Sequence, residues 1–354
     1  MLDKFIPQTK GRQLFWDIVK GITILLVILG HQLQFSSGAI GNKSGVFFDN
    51  PIFKFIYSFH MPLFMLISGY FFYYSLNKYN AKELFKKKIY QLLIPITTVT
   101  VITCVILVAF STKEFSIISL VGQWFSTLWF LWCVLFCSSL MIIINKVFCR
   151  YNIYIYIFIW LFSFFIPEII GLCRYFCFTY PFFIIGYYIN KYRVFENIFT
   201  KSLISVVIIS GIIYSICFLF FSRETYIYTS GYCILLSGRL DLHQAVVDLH
   251  RTLTGIFGSL FIITSFKLLS NLLKERFSSV KQLLCYFGTN TMQLYVISTL
   301  LIWRYITFKL AGNNTDVDYV IAFLTFVTFT ILFCVIVEIL KKFKITNLLF
   351  FGKI

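Results

Sequence analysis

The chain has 354 residues, of which 59% are hydrophobic, 20% aromatic and 13% charged, with a formal net charge of +17. A soluble domain carries about 25% charged residues and has no core large enough to hide this much apolar surface, so the solvent is a lipid bilayer. No basic cluster lies in a soluble stretch long enough to bind nucleic acid, and the positive charge is read as cytoplasmic loop charge.

Crossing roughly 30 Å of hydrocarbon takes about 20 apolar residues. Runs of that size fall near 14–34, 51–73, 91–110, 124–145, 152–170, 172–190, 202–221, 249–268, 282–303 and 318–340. The sequence therefore predicts one all-α integral membrane domain over 1–354, with about ten transmembrane helices. The first run exceeds a signal-peptide core and lacks a small-x-small cleavage site, so it is kept as a helix. Only Gly171 and its neighbours separate the fifth run from the sixth, and the two could form one bent element.

Charge sets the orientation. With the N-terminus inside, 21 of the 31 basic residues fall on the cytoplasmic side, nine fall outside, and Lys20 lies within the first helix. Every cytoplasmic loop is then basic, which predicts that both termini are cytoplasmic. The longest stretch outside the membrane is roughly 222–248, on the outer face. A site must be built from helix interiors and this segment.

Ionisable groups inside a bilayer are costly and mark function by default. In the first helix Lys20 and His31 are eleven residues apart, so they share a face about 16 Å apart in height. Asp17 and Gln34 extend the stripe at either end. Taken singly, Lys20 could snorkel to the interface, with Asp17 as its ion-pair partner, and His31 could be an interhelical hydrogen bonder. His60 precedes Pro62 in the second helix, at a similar depth to His31. Lys82, Lys86, Lys87 and Lys88 form a cytoplasmic cluster suited to phosphates, or to plain anchoring. Glu168 and Arg174 flank the turn between the fifth and sixth runs, as an exposed loop pair or as substrate ligands. Asp241, His243, Asp248, His250 and Arg251 form an outer polar cluster, a solvated helix start or, with Arg239 just before it, a contact surface for sugar. Cys173 and Cys177 lie one turn apart without flanking ligands, so no metal is expected.

RQLFWDIVKGITILLVILGH (12–31), with a basic residue, ten intervening positions and a His, resembles the opening helix of the type-3 membrane acyltransferases, bacterial O-acyltransferases of cell-surface polysaccharides. FHMPLFMLISGYFF (59–72), ELFKKKIYQLLIP (83–95), TLWFLW (127–132), YPFFIIGYYINK (180–191) and FGTNTMQLYVIS (287–298) are similar to later landmarks of that family, in order along the chain. One departure is Ser298, where the family often has a His three residues after the Tyr of its Gly-x-x-Thr-x-x-x-Tyr helix.

The resemblance implies a ten-helix core in a bacterial inner (cytoplasmic) membrane and no bound cofactor. It also implies acyl-CoA, by default acetyl-CoA, as a donor substrate on the cytoplasmic side. The implied acceptor is a hydroxyl of a polysaccharide or lipid-linked glycan on the outer side. His31 would then be a general base or a transient acyl carrier. Lys20 would bind donor or stabilise an oxyanion, with Asp17, Gln34 and His60 in support. Homo-oligomerisation is left open. The rival class is a glycan or lipid-linked sugar transporter, which would be expected to show internal repeats with matching broken helices. The first and sixth helices share no pattern. A silent family member within an export complex is a milder form of that rival.

Overall fold

A chain in lipid must satisfy its backbone hydrogen bonds within each segment, and the helix does so. The computed structural model is accordingly helical, with one small hairpin. It describes residues 14–353 apart from 39–44, 111–115, 148–151, 167–171, 234, 237–238, 274–277 and 312–315.

In chain order the helices are α1 (Leu14–Ser36), α2 (Pro51–Lys78), α3 (Ala81–Lys88), α4 (Ile94–Phe110), α5 (Ile117–Ser126) and α6 (Trp129–Val147). There follow α7 (Asn152–Ser163), α8 (Leu172–Lys191), α9 (Val194–Asn197), α10 (Leu203–Leu219) and α11 (Ile227–Ser230). After the hairpin of β1 (Leu235–Leu236) and β2 (Arg239–Leu240) come α12 (Leu242–Leu273), α13 (Ser278–Thr289), α14 (Thr291–Ser298), α15 (Leu301–Ala311), α16 (Tyr319–Lys342) and α17 (Lys344–Phe351). A π-helical turn at Ile89–Leu93 carries α3 into α4, so the lysine cluster forms the first turns of the third span.

Among the described residues seven helices are long and apolar enough to cross a membrane, and a pair bent by 59°, α14 with α15, makes an eighth. Ten were expected. The fifth expected span shows only the 12 residues of α7 before the undescribed 167–171. Helix α8 has 20 residues but carries Arg174 and four tyrosines, which lower its hydropathy. The ninth expected span, 282–303, is broken at Asn290, between α13 and α14, and again before α15. The outer segment is also shorter than predicted, because α12 starts at Leu242.

Two reciprocal glycine contacts fix the packing. A Cβ on Gly69 of α2 would overlap the Phe183 carbonyl of α8, and one on Gly186 of α8 would overlap the Leu66 carbonyl of α2. Gly21 of α1 and Gly288 of α13 meet Leu284 and Asp17 in the same way. Such small residues let helix backbones touch where lipid offers no hydrophobic drive to pack them. At the C-terminal end of α16, Lys341 Nζ donates to Glu338 (2.8 Å) and to Asn290 (2.6 Å). Tyr286 donates to the same Glu338 oxygen (2.8 Å), which ties α16 to the α13–α14 break.

Candidate functional site

Two chambers adjoin between α1, α2, α6 and α14. The one nearer the C-terminal end of α1, called outer after the orientation expected from charge, is about 200 Å³ and is lined by His31, Tyr57, His60, Tyr228, Tyr295, Thr299 and Arg304, with residues 123 and 126–129 along another side. The inner one, about 330 Å³, is lined by Lys20, Lys88, Gln91, Thr289, Thr291, Gln293 and Lys353 and by apolar residues such as Phe64 and Val134. Val27, Met61 and Tyr295 line both. The stripe on α1 thus runs along the pair, with Lys20 in one chamber and His31 in the other.

Each group has a local reason for its place. Asp17 is buried and pairs with Lys20 at 2.8 Å, one helical turn away. Lys20 also lies over the Phe71 ring (5.3 Å), so it is held rather than snorkelling freely. His31 stacks on Phe35 (6.1 Å), and its buried Nδ1 has no hydrogen-bond partner among the described residues. His60 Nδ1 lies 2.8 Å from the Ile56 carbonyl, which can only accept. That bond places the proton on Nδ1 and leaves Nε2 of a neutral ring as an acceptor. Gln34 is buried one turn beyond His31 but is not part of the chamber wall.

The wall at 126–129 is an elbow. The predicted span 124–145 is interrupted where α5 turns into α6, and Leu128 takes φ +52 while its side chain is buried. A left-handed leucine is a strained conformation that surrounding packing must hold, at a cost of about 1–3 kcal/mol. The elbow turns Thr127 and Trp129 toward the outer chamber, and Trp129 packs on Tyr175 with ring centroids 4.5 Å apart.

Arg304 was not foreseen as a site residue, because a straight ninth span would end at 303. The bend before α15 brings it into the outer chamber instead. Thr307, one turn later, donates to Gln32 Oε1 (2.7 Å) and holds α15 against α1. The only signal in the sequence was a lone arginine within LLIWRYITF. Lys353 is one of the basic residues that the charge count puts on the cytoplasmic side. Helix α17 ends at Gly352 with φ +60, packed against Tyr90 and Gln91, which returns Lys353 to the inner chamber. There Gln293 accepts from Lys353 Nζ (2.6 Å) and donates to the Asn290 carbonyl (3.3 Å).

Of the lysine cluster, only Lys88 lines the chamber. Lys82, Lys86 and Lys87 are exposed on α3. Lys87 donates to the exposed Tyr79 hydroxyl (2.9 Å), and that bond, with the lysine charge, holds the phenol below its usual range. The outer polar cluster does not reach the chamber either. Asp241 accepts from the Gln244 amide at the start of α12. His243 is exposed against Glu224 (2.9 Å), and His250 lies 2.9 Å from the Cys217 carbonyl. The described part of Arg239 is its place in β2, Arg174 lies in the first turn of α8 outside both linings, and Glu168 is outside the described residues. Ser298 donates to the Tyr295 carbonyl (3.0 Å), closing on its own helix.

An imidazole with a free buried nitrogen can accept a proton, and lysines around an apolar-walled inlet can hold an anionic chain that threads toward it. Comparison with known proteins bears on the family of the chain. Two curated relatives, both named nodulation protein NolL, match the chain. The one from Mesorhizobium japonicum (strain LMG 29417 / CECT 9101 / MAFF 303099) is 32% identical over 228 residues, 63% of this chain and 60% of the relative. The one from Sinorhizobium fredii (strain NBRC 101917 / NGR234) is 30% identical over 231 residues, 62% of this chain and 60% of the relative. The chain therefore spans about 60% of the length of the curated relatives it matches. No solved structure matches it significantly. The family model for the type-3 acyltransferase domain covers residues 13–339, and the chain belongs to that family.

Proposed function

We propose that this protein is a membrane O-acyltransferase that moves an acyl group, acetyl by default, from acyl-CoA to a hydroxyl of a cell-surface or lipid-linked glycan. The observation that carries the reading is the pair of adjoining chambers, with Lys20 at one level of α1 and His31 at the other. Orientation follows from charge. Counting α7 and α8 as crossings beside the seven long helices and the bent α14–α15 pair gives ten spans with both termini cytoplasmic, and the inner chamber then opens to the side where acyl-CoA is made. A bacterial inner membrane is the setting in which both substrates meet.

Donor phosphates sit by Lys20, Lys88 and Lys353, and the pantetheine arm runs between Phe64 and Val134 toward Tyr295. His31 takes the proton of the acceptor hydroxyl as that oxygen bonds to the thioester carbonyl carbon. The tetrahedral oxyanion collapses, the carbon–sulfur bond breaks, and the CoA sulfur leaves with the proton from His31. The products are the O-acyl glycan and free CoA. His60, with its Nδ1 proton fixed on Ile56, presents Nε2 to a second sugar hydroxyl.

Transfer of radiolabelled acetyl from acetyl-CoA into the glycan fraction of membranes tests the reading. Label should appear with the wild type and vanish with His31→Ala at equal membrane protein level. Retained transfer by the variant sinks the role of His31. No label in either case points to a different donor or to glycan transport.

A further inference from the structure

We propose that the outer chamber selects an anionic acceptor, with Arg304 binding a carboxylate or phosphate on the sugar and thereby holding a neighbouring hydroxyl at His31. This rests on the acyl-transfer reading and deepens it to a substrate class.

Arg304 lies among helices, in a chamber wall, with its Nε buried and without a hydrogen-bond partner. Among the described residues it has no ion pair, and its only close cation contact is the face of Phe35 (5.5 Å). Three other cations of the fold each have a carboxylate partner. Lys20 has Asp17 at 2.8 Å, Arg251 has Asp248 at 3.4 Å and Lys341 has Glu338 at 2.8 Å. Among the described residues no Asp or Glu lines the outer chamber, whose polar side chains besides Arg304 are hydroxyls, one amide, the Trp129 indole and the two histidines. A guanidinium removed from water needs an opposite charge, and this chamber reserves that place for something that enters it. The bond from Thr307 to Gln32 fixes α15 on α1, so Arg304 and His31 are presented from two helices locked together. A planar fork facing an open cavity suits a carboxylate or phosphate better than a hydroxyl.

The test uses the full chain in lipid nanodiscs with three matched tetrasaccharides, ending in glucuronate, in glucose 6-phosphate and in plain glucose. Binding is titrated without donor, and acetyl transfer is measured separately. The anionic probes should bind the wild type about tenfold or more tightly than the neutral one. Arg304→Gln should bring all three within about threefold, and Arg304→Lys should keep part of the preference. Whichever anion binds more tightly identifies the source of the charge. Equal binding of all three by the wild type, no binding of either anion at millimolar concentration, or an equal loss for all three in Arg304→Gln overturns the proposal. Because binding needs no donor, preference without label would count against acyl transfer, and label without preference would count against an anionic acceptor.

Discussion

Gly288 of α13 lies flat against the backbone of Asp17 in α1, so closely that a Cβ at 288 would overlap the Asp17 carbonyl oxygen. Gly21 returns the contact against Leu284. The level of Lys20 in the inner chamber is therefore set by a backbone contact one turn away. Gly288→Ala must push two helices apart, and a backbone neighbour cannot rotate aside as a side chain can. Overpacking of this kind costs about 1–3 kcal/mol. We expect a lower melting temperature in detergent and a loss of transfer for Gly288→Ala. Gly122→Ala, with nothing within 4 Å of its added Cβ, should melt at or slightly above the wild type. Equal melting of the 288 variant and the wild type would remove the contact from the argument.

The two histidines should not be equivalent. His31 keeps a buried nitrogen without a partner, whereas His60 spends Nδ1 on the Ile56 carbonyl. A lost general base costs about 10²–10⁴ in rate. His31→Ala should lie in that range at saturating donor, while His60→Gln, which keeps a hydrogen-bonding end, should lose less and mainly raise the acceptor KM. Single-turnover transfer in nanodiscs separates the two. The reverse order of losses would make His60 the base.

Much of this arrangement was legible in the residues themselves. The 11-residue spacing of Lys20 and His31 sits on one helix, where periodicity alone fixes the shared face. The glycines at 21, 69, 186 and 288 fall inside the segments that carried the family resemblance, and all four touch helices far away in sequence. The elbow at Leu128 falls inside TLWFLW. What could not be read is where a span bends. Hydropathy sees 282–303 as one rod, so Arg304 looked like an outer loop charge until the break before α15 turned it inward. The place of the outer cluster was hidden for a related reason: His243 and His250 do share a helix, but α12 begins at Leu242, and Glu224 and the Cys217 carbonyl lie against their rings, away from both chambers. Lys353 depended on α17 folding back at Gly352, which no local pattern announces.

The inner chamber makes a separable claim about the donor. Lys20, Lys88 and Lys353 come from three distant parts of the chain and line one cavity, while Lys82, Lys86 and Lys87 do not. Lys88→Ala and Lys353→Ala should each raise the KM for acetyl-CoA several-fold with little change in kcat, and Lys82→Ala should change neither. Replacing the donor by 3′-dephospho-acetyl-CoA identifies which lysine meets that phosphate, because its substitution should then cost nothing further. If Lys82→Ala hurts as much as Lys88→Ala, the phosphates lie on α3 and not in the chamber.

Arg251 supports the chamber from a distance. It is buried on α12 beside Asp248 and donates to the carbonyls of Gly231 (2.7 Å) and Glu224 (3.1 Å) and to the Ser230 hydroxyl. Those partners bracket Tyr228, whose side chain forms part of the outer wall near Trp129 and Tyr175. Removing one partner of a buried ion pair leaves the other charge uncompensated and costs about 3–5 kcal/mol, whereas replacing both by apolar groups is often close to neutral. Arg251→Ala should therefore reduce the folded yield sharply, and Arg251→Met with Asp248→Leu should recover much of it. The double variant should still transfer acetyl poorly, because the carbonyls of the 224–231 segment lose the group that holds Tyr228 in place. Full activity in the double variant would mean that Tyr228 is held by its aromatic neighbours alone.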